Sequence, residues 1–477
     1  MKNTKINDLW FYKYRYQIGY TGLFISYLLI IFYSIFIAPR GLTINEMNSA
    51  YESSQLSLNN LFSLDIINAP YKLLQAASIS ILGVSLLSVK LPSVILSLFA
   101  LFGIIKLTNK WFSPGIATLA SVIALTSSQF FFLAQNGSPE ILYVLYPILI
   151  LFFGASFISS KNKIPNILIF AILLGLSLYT PLGIYVVLAM ILTILAHPHL
   201  RFMIKKLQKS RSVIGFIVFV LIISPLAIAI FKDFSIVKLL LGIPETLDVF
   251  ANIQNLISHL FGFSVEYSGG VISPIINLTS LILIGIGLFF TLSARYTTRS
   301  YLINIWSIIL IAVCIINPNS TTILFTPILI LTISGLQSLI NTWYTMFPRN
   351  PYARIAGLFP IVILVVSLLL TNFDSFRLNY TYSPEILSNF SQDIEILQSS
   401  NLDTRNMIVS KDEENFYKIL ETEDKVNLSQ GITGDQVIVS NKAYKEIDEI
   451  PENYKVIKIL ISSRDDDADR FYILKRS

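Results

Sequence analysis

The residues with most to offer chemically are the carboxylates Glu46, Glu52 and Glu140 and the amines Lys72 and Lys90. A carboxylate can take a proton from an attacking hydroxyl, and an ammonium can take up negative charge that develops on a leaving oxygen. All but Glu140 sit in one stretch, residues 39–90, between the first two apolar runs of the chain. It is far longer than the other early connections, and unusually long loops are commonly functional.

Two local elements position these groups. Asn45–Ser57 reads as a short helix with Glu46 in its first turn, where the helix dipole favours an acid. Residues 69–88 read as an amphipathic helix lying along a membrane interface. Tyr71, Leu73, Leu74, Ile79 and Leu82 form its apolar side, and Lys72, Gln75 and Ser78 recur on the other. Reading it as a span would invert every later loop.

The chain around them belongs in a bilayer. Its 477 residues are 54% hydrophobic and only 13% charged, and mean hydropathy is +0.66. A hydrocarbon core about 30 Å thick asks for roughly 20 apolar residues per helix. Spans are expected at 20–38, 91–108, 115–133, 140–158, 165–180, 181–196, 213–231, 273–292, 301–316, 320–340 and 354–371, with Tyr179-Thr180-Pro181 breaking the run 165–196. With the N-terminus inside, the inner connections hold Lys2 to Arg15, Lys106, Lys110, Lys161, Lys163, Arg201 to Arg211, Arg295, Arg299, Arg349 and Arg354, with Asp8 the only acid. The outer loops mix both signs. That asymmetry predicts eleven spans with the C-terminus outside. The net charge of +6 is therefore a topology signal, and no basic stretch interleaved with aromatics suggests nucleic acid. The first span follows a basic leader without a small-residue cleavage site, as an uncleaved first helix does. Cys314 is the only cysteine, which excludes an internal disulfide and a cysteine-rich metal site.

From about Asn372 the chain turns polar. Strand-like runs at Asn406–Val409, Gln436–Val439 and Lys455–Ile461 alternate with helical stretches near Asp412–Leu420 and Lys442–Ile447, which predicts a small α/β domain. The expected architecture is an all-α polytopic membrane domain, residues 1–371, with interfacial helices in its first outer loop, followed by an outer α/β domain, residues 372–477. The acidic run 465–469 is either a divalent-cation site or a solvated turn; it lacks the glycine and terminal glutamate of a calcium loop.

The run Ala69-Pro70-Tyr71-Lys72, Ile81-Leu82-Gly83-Val84-Ser85, Lys90-Leu91-Pro92-Ser93 and Lys106 to Trp111-Phe112 resembles the early part of the protein mannosyltransferase and aminoarabinose transferase superfamily, membrane glycosyltransferases of the GT-C class. Ala134 to Glu140, Leu178-Tyr179-Thr180-Pro181, Thr326-Pro327 and Ser334-Gly335-Leu336 are similar to its later landmarks. The resemblance implies transfer of a sugar from a polyprenyl-phosphate donor to a protein, lipid or glycan acceptor on the outer face of the cell membrane. It makes Glu46 or Glu52 the base, Lys72 the phosphate partner, and Asn45, Lys90 and Glu140 further contacts to substrate. Glu266 and His259 lie in the outer loop 232–272, Glu266 as a substrate contact and His259 as a metal candidate. The donor phosphate can be met by Lys72 alone or by a divalent metal, and no motif selects between them.

Where the superfamily has an adjacent Asp-Glu pair, this chain has Asn45-Glu46, and asparagine is not a base. Each residue also has a plainer reading: Glu46 and Glu140 as helix-start acids, Lys72 and Lys90 as interfacial anchors. Two other classes remain open. A transporter or flippase places ionisable residues inside its spans, and these spans hold almost none. A non-catalytic scaffold is favoured by Asn45.

Overall fold

The computed structural model describes residues 10–477 except 38–39, 57–65, 160–163, 262–275, 400–404, 448–450, 463–468 and the single positions 208, 245, 295, 348, 383, 388, 412, 424, 430 and 452. An apolar helix stands at each stretch the hydropathy pattern marks. Among the described residues, seven are long and apolar enough to cross a membrane, or nine if each of two bent pairs is one span. The bent pairs are Pro114–Thr126 with Ser128–Gln135, at 62°, and Ile184–Ala196 with Pro198–Lys205, at 97°. Ile164–Ser177 and Leu278–Ser293 are shorter apolar helices. At about 1.5 Å per residue they fall short of a hydrocarbon core, so length alone does not establish eleven spans.

Small residues let the helices approach. A Cβ on Gly287 would lie 2.0 Å from the Leu331 carbonyl oxygen, and one on Gly335 would lie 2.0 Å from that of Leu283, so this pair sets the crossing of Leu278–Ser293 on Phe325–Met346. The chain breaks at 178–183, as its proline predicts, and Tyr179 accepts a backbone hydrogen bond from Asn68 at 2.8 Å. That bond ties the later turn to the start of the interfacial helix, which Asn68 precedes. The rings of Tyr27, Phe130, Phe131, Phe325 and Phe376 pack on one another with centroids 5.2–6.0 Å apart.

The first-loop helix is Ile44–Ser54, slightly shorter than expected. Thr43 and Glu46 close a capping box at its start, satisfying two of the otherwise orphaned amide groups. The interfacial helix ends at Leu82, not 88, because Gly83 turns with φ +69° and Ser85 with Ser88 caps a new helix, Leu86–Trp111. Its faces divide otherwise than the sequence reading had them. Lys72 and Gln75 are buried with Tyr71 and Ile79 against protein, while Leu73, Leu74 and Leu82 are exposed, as suits a helix whose other neighbour is lipid.

The last long helix, Pro351–Tyr382, runs through Asn372, so the change of composition falls inside a helix. Beyond it stands a five-stranded sheet of order β2-β1-β3-β5-β4. The strands are β1 (Asn406–Ile408), β2 (Asn427–Leu428), β3 (Gln436–Ser440), β4 (Tyr454–Ile461) and β5 (Asp469–Arg476). β1 is parallel to β2 and β3, and β5 is antiparallel to β3 and β4. β2 and β5 were not expected.

The C-terminal domain and the first loop share one apolar core. Leu42, Met47, Ala50, Val84 and Val89 pack with Ile394, Phe416, Leu420 and Phe471. Leu42 and Ser391 exchange backbone hydrogen bonds at 3.0 and 2.8 Å, and Arg40 pairs with Glu395 at 2.5 Å. Val84 is held at both backbone atoms: its N–H donates to Glu423 Oε1 at 2.7 Å and its carbonyl accepts from Lys425 Nζ at 2.8 Å.

Candidate functional site

Glu46 is fully buried. Its Oε2 accepts the Thr43 N–H at 2.7 Å. Its Oε1 accepts the Gly137 N–H at 2.6 Å and faces Lys90 Nζ at 3.4 Å. One carboxylate therefore joins the first loop, the second span and the segment 136–140. Gly137 is needed there, since a Cβ would lie 2.9 Å from the Val89 carbonyl oxygen.

Lys90 is 1% exposed and lies 5.6 Å from the centre of the Phe390 ring. The expectation of an anchor or helper at the lipid headgroups is thus not what this conformation holds. The ammonium points inward, where a carboxylate and an aromatic face offset the loss of water.

Gln75 is the residue the sequence reading missed. It is fully buried, and it makes four hydrogen bonds. Oε1 accepts from Ser49 and Ser53 at 2.8 Å each. Nε2 donates to the Val89 carbonyl at 3.0 Å and to the Gly137 carbonyl at 2.7 Å. A primary amide has two donors and two acceptor positions, so it is saturated. The available signal was Ser49 and Ser53 at i, i+4, one face of a short helix that needed a polar partner. Tyr71 adds a parallel tie, its hydroxyl 2.8 Å from Ser93 Oγ, and burial pushes its phenol well above the ordinary pKa.

The second ion pair is more open. Lys72 Nζ lies 3.0 Å from Glu52 Oε2; the lysine side chain is 7% exposed and the glutamate 52%. Lys72 is thus paired within the protein, and its partner faces solvent. Asn45 is half-buried, and so is Glu140, whose Oε2 accepts from Asn136 Nδ2 at 3.2 Å. Two ion pairs, Glu46 with Lys90 and Glu52 with Lys72, thus tie the first-loop helix to its neighbours, and Glu46 also binds the 136–140 segment. His259 is elsewhere, on Val249–Phe261, with Nδ1 3.2 Å from the Pro318 carbonyl oxygen. Among the described residues no three His, Cys, Asp or Glu gather as a metal site. Glu266 and Asp465 to Asp467 lie outside the described residues.

Residues 70–228 match the family model described as dolichyl-phosphate-mannose-protein mannosyltransferase. No curated protein matches the chain. Among solved structures, ArnT from Cupriavidus metallidurans in the apo state aligns at 12% identity with a TM-score of 0.56, over 96% of this chain and 98% of ArnT. ArnT bound to undecaprenyl phosphate gives 0.57 at the same identity and coverage. The oligosaccharyltransferase of Archaeoglobus fulgidus tethered to an acceptor peptide aligns at 11% identity and 0.52, over 86% of this chain and 63% of that one. The protein therefore has the fold of the GT-C membrane transferases. The family match covers residues 70–228, about a third of the chain.

Proposed function

We propose that the protein transfers a sugar from a polyprenyl-phosphate donor to a protein, lipid or glycan acceptor, on the extracytoplasmic side of the cell membrane. The observation that carries this reading is the Lys72–Glu52 pair on the first loop of a GT-C fold. A half-exposed carboxylate is the partner most easily exchanged for a lipid phosphate. When the phosphate takes its place at Lys72, Glu52 is released to take the proton of the acceptor hydroxyl as that oxygen bonds the anomeric carbon. The bond from that carbon to the phosphate oxygen breaks, and its electron pair leaves with the phosphate beside Lys72.

Glu46, with both oxygens engaged, serves in this scheme as the carboxylate that positions the loops, with Lys90 as its counter-charge. Asn45 and Glu140 are assigned to substrate hydroxyls. The loop contacts support an eleven-crossing topology: Asn68 meets Tyr179, Asn317 Nδ2 donates to the Gly242 carbonyl at 3.3 Å, and Arg299 Nη1 donates to the Trp111 carbonyl at 2.6 Å. The first two contacts join connections expected outside, and the third joins two expected inside. The N-terminus is then cytoplasmic.

Two observations favour a non-catalytic scaffold: Asn45 replaces the expected acid, and both oxygens of Glu46 are engaged within the protein. Native mass spectrometry of purified protein mixed with polyprenyl-phosphate monosaccharides separates the two. The transferase reading expects lipid capture that Lys72→Met weakens roughly ten- to a hundredfold, the loss of one charge-assisted hydrogen bond. Equal retention by wild type and variant, or none by either, supports the scaffold.

A further inference from the structure

Between the first-loop helix and the C-terminal domain lies a cavity of about 430 Å³, within the range of small-molecule sites. Its charged wall is an ordered network. Arg470 donates from Nε to Asp393 Oδ1 at 2.6 Å, and from Nη2 to Asp393 Oδ2 and Glu413 Oε1 at 2.7 Å each. The Tyr417 hydroxyl donates to Asp393 Oδ2 at 2.6 Å. Both Asp393 oxygens and one Glu413 oxygen are thereby satisfied. The other, Glu413 Oε2, is buried without a hydrogen-bond partner among the described residues on a side chain only 10% exposed, and Glu413 lines the cavity. Buried carboxylate oxygens are normally hydrogen-bonded, so this one calls for a donor from a ligand.

The other surfaces define the ligand. Leu42, Ile44, Met47 and Phe416 give an apolar wall, and Asn48 a polar edge. Arg470 and Lys442 offset Asp393 and Glu413 in charge, so the charges of the described lining residues balance and favour a neutral ligand. A neutral ring carrying hydroxyl donors around its edge and C–H groups on its face meets all three conditions. We propose that this cavity binds a neutral sugar ring, with one hydroxyl donating to Glu413 Oε2 and the C–H face against the apolar wall. Asn48 and Glu52 are i, i+4 on one helix and so share a face. A glycan seated at Asn48 would therefore present its next hydroxyl one turn on, at Glu52. That last role, as an acceptor subsite, rests on the transferase reading; sugar binding by the cavity does not.

The test is saturation-transfer NMR on full-length protein in nanodiscs, with a panel of neutral hexoses, N-acetylhexosamines and their disaccharides, beside glucuronate and a short neutral peptide. Wild type should show transfer to a neutral sugar. Glu413→Gln, which keeps an oxygen for Arg470 but turns an amide into the cavity, and Asn48→Trp, which fills it from the exposed rim, should each weaken binding at least tenfold. If Glu413→Gln does not fold, Asn48→Trp decides. No neutral sugar bound by wild type, equal binding by folded variants, or preference for glucuronate or peptide overturns the proposal. Donor capture on the same sample keeps the two readings apart. Capture without sugar binding removes the cavity assignment alone, and sugar binding without capture removes the transferase reading alone.

Discussion

Glu46 and Lys90 form an ion pair, Nζ to Oε1 3.4 Å, with side chains 0% and 1% exposed. A pair so placed is weak evidence for net stability but strong evidence for interdependence. Each charge is tolerable because the other is present. Glu46→Gln or Lys90→Met alone should cost about 3–5 kcal/mol, and the double variant clearly less than the sum of the singles. Denaturant unfolding in detergent measures the coupling, and strictly additive losses would show that the two side chains do not interact.

Gln75→Leu removes four hydrogen bonds and leaves the Gly137 and Val89 carbonyls and two serine hydroxyls without this partner. At about 1–3 kcal/mol for a buried unsatisfied group, the first loop should loosen before the bundle does. Amide hydrogen exchange in Ile44–Ser54 should be faster in the variant than in wild type while the bundle helices stay protected; unchanged exchange would count against Gln75 as the organiser of the loop.

Gly137→Ala should destabilise by about 1–3 kcal/mol through overpacking, because the added methyl meets both Val89 Cγ1 at 2.8 Å and its carbonyl oxygen at 2.9 Å. Gly431→Ala, where nothing lies within 4 Å, should stay within about 0.5 kcal/mol. Unfolding midpoints that do not separate the two would contradict the close packing of the 136–140 segment.

Glu423 and Lys425 hold the two backbone groups of Val84, which makes them the polar clamp between domain and loop. Glu423→Ala with Lys425→Ala should raise amide hydrogen exchange at Val84 while leaving β3 and β5 protected. Exchange that rises across the whole domain would mean the pair supports the fold itself and not its docking.

Much of this was legible in the chain, and each failure has its own physical cause. Thr43-Ile44-Asn45-Glu46 is a local capping signal, and the helix it starts is where the pattern puts it. That the same Glu46 carboxylate reaches Gly137, 91 positions on, is a non-local contact that no spacing encodes. In the interfacial helix the usual rule inverts: Leu73 and Leu74 are exposed and Gln75 is buried, because lipid and not water lies on the outer side. In the C-terminal domain β5 was missed because an acidic run precedes it. Yet Phe471 and Ile473, two apart, are buried, and the strand is central between β3 and β4.

The central claim is that the first loop carries a transfer site, with Lys72 on the donor phosphate and Glu52 as the base. The most direct measurement is release of polyprenyl phosphate, and of sugar bound to acceptor, by reconstituted protein given labelled polyprenyl-phosphate sugars and an extract of its own cell-envelope glycans. Wild type should turn over the donor, Glu52→Gln should lose roughly a hundredfold or more in turnover with donor capture kept, and Lys72→Met should lose capture as well. Turnover that survives Glu52→Gln, or a folded wild type that captures no donor and transfers no sugar, would contradict the account.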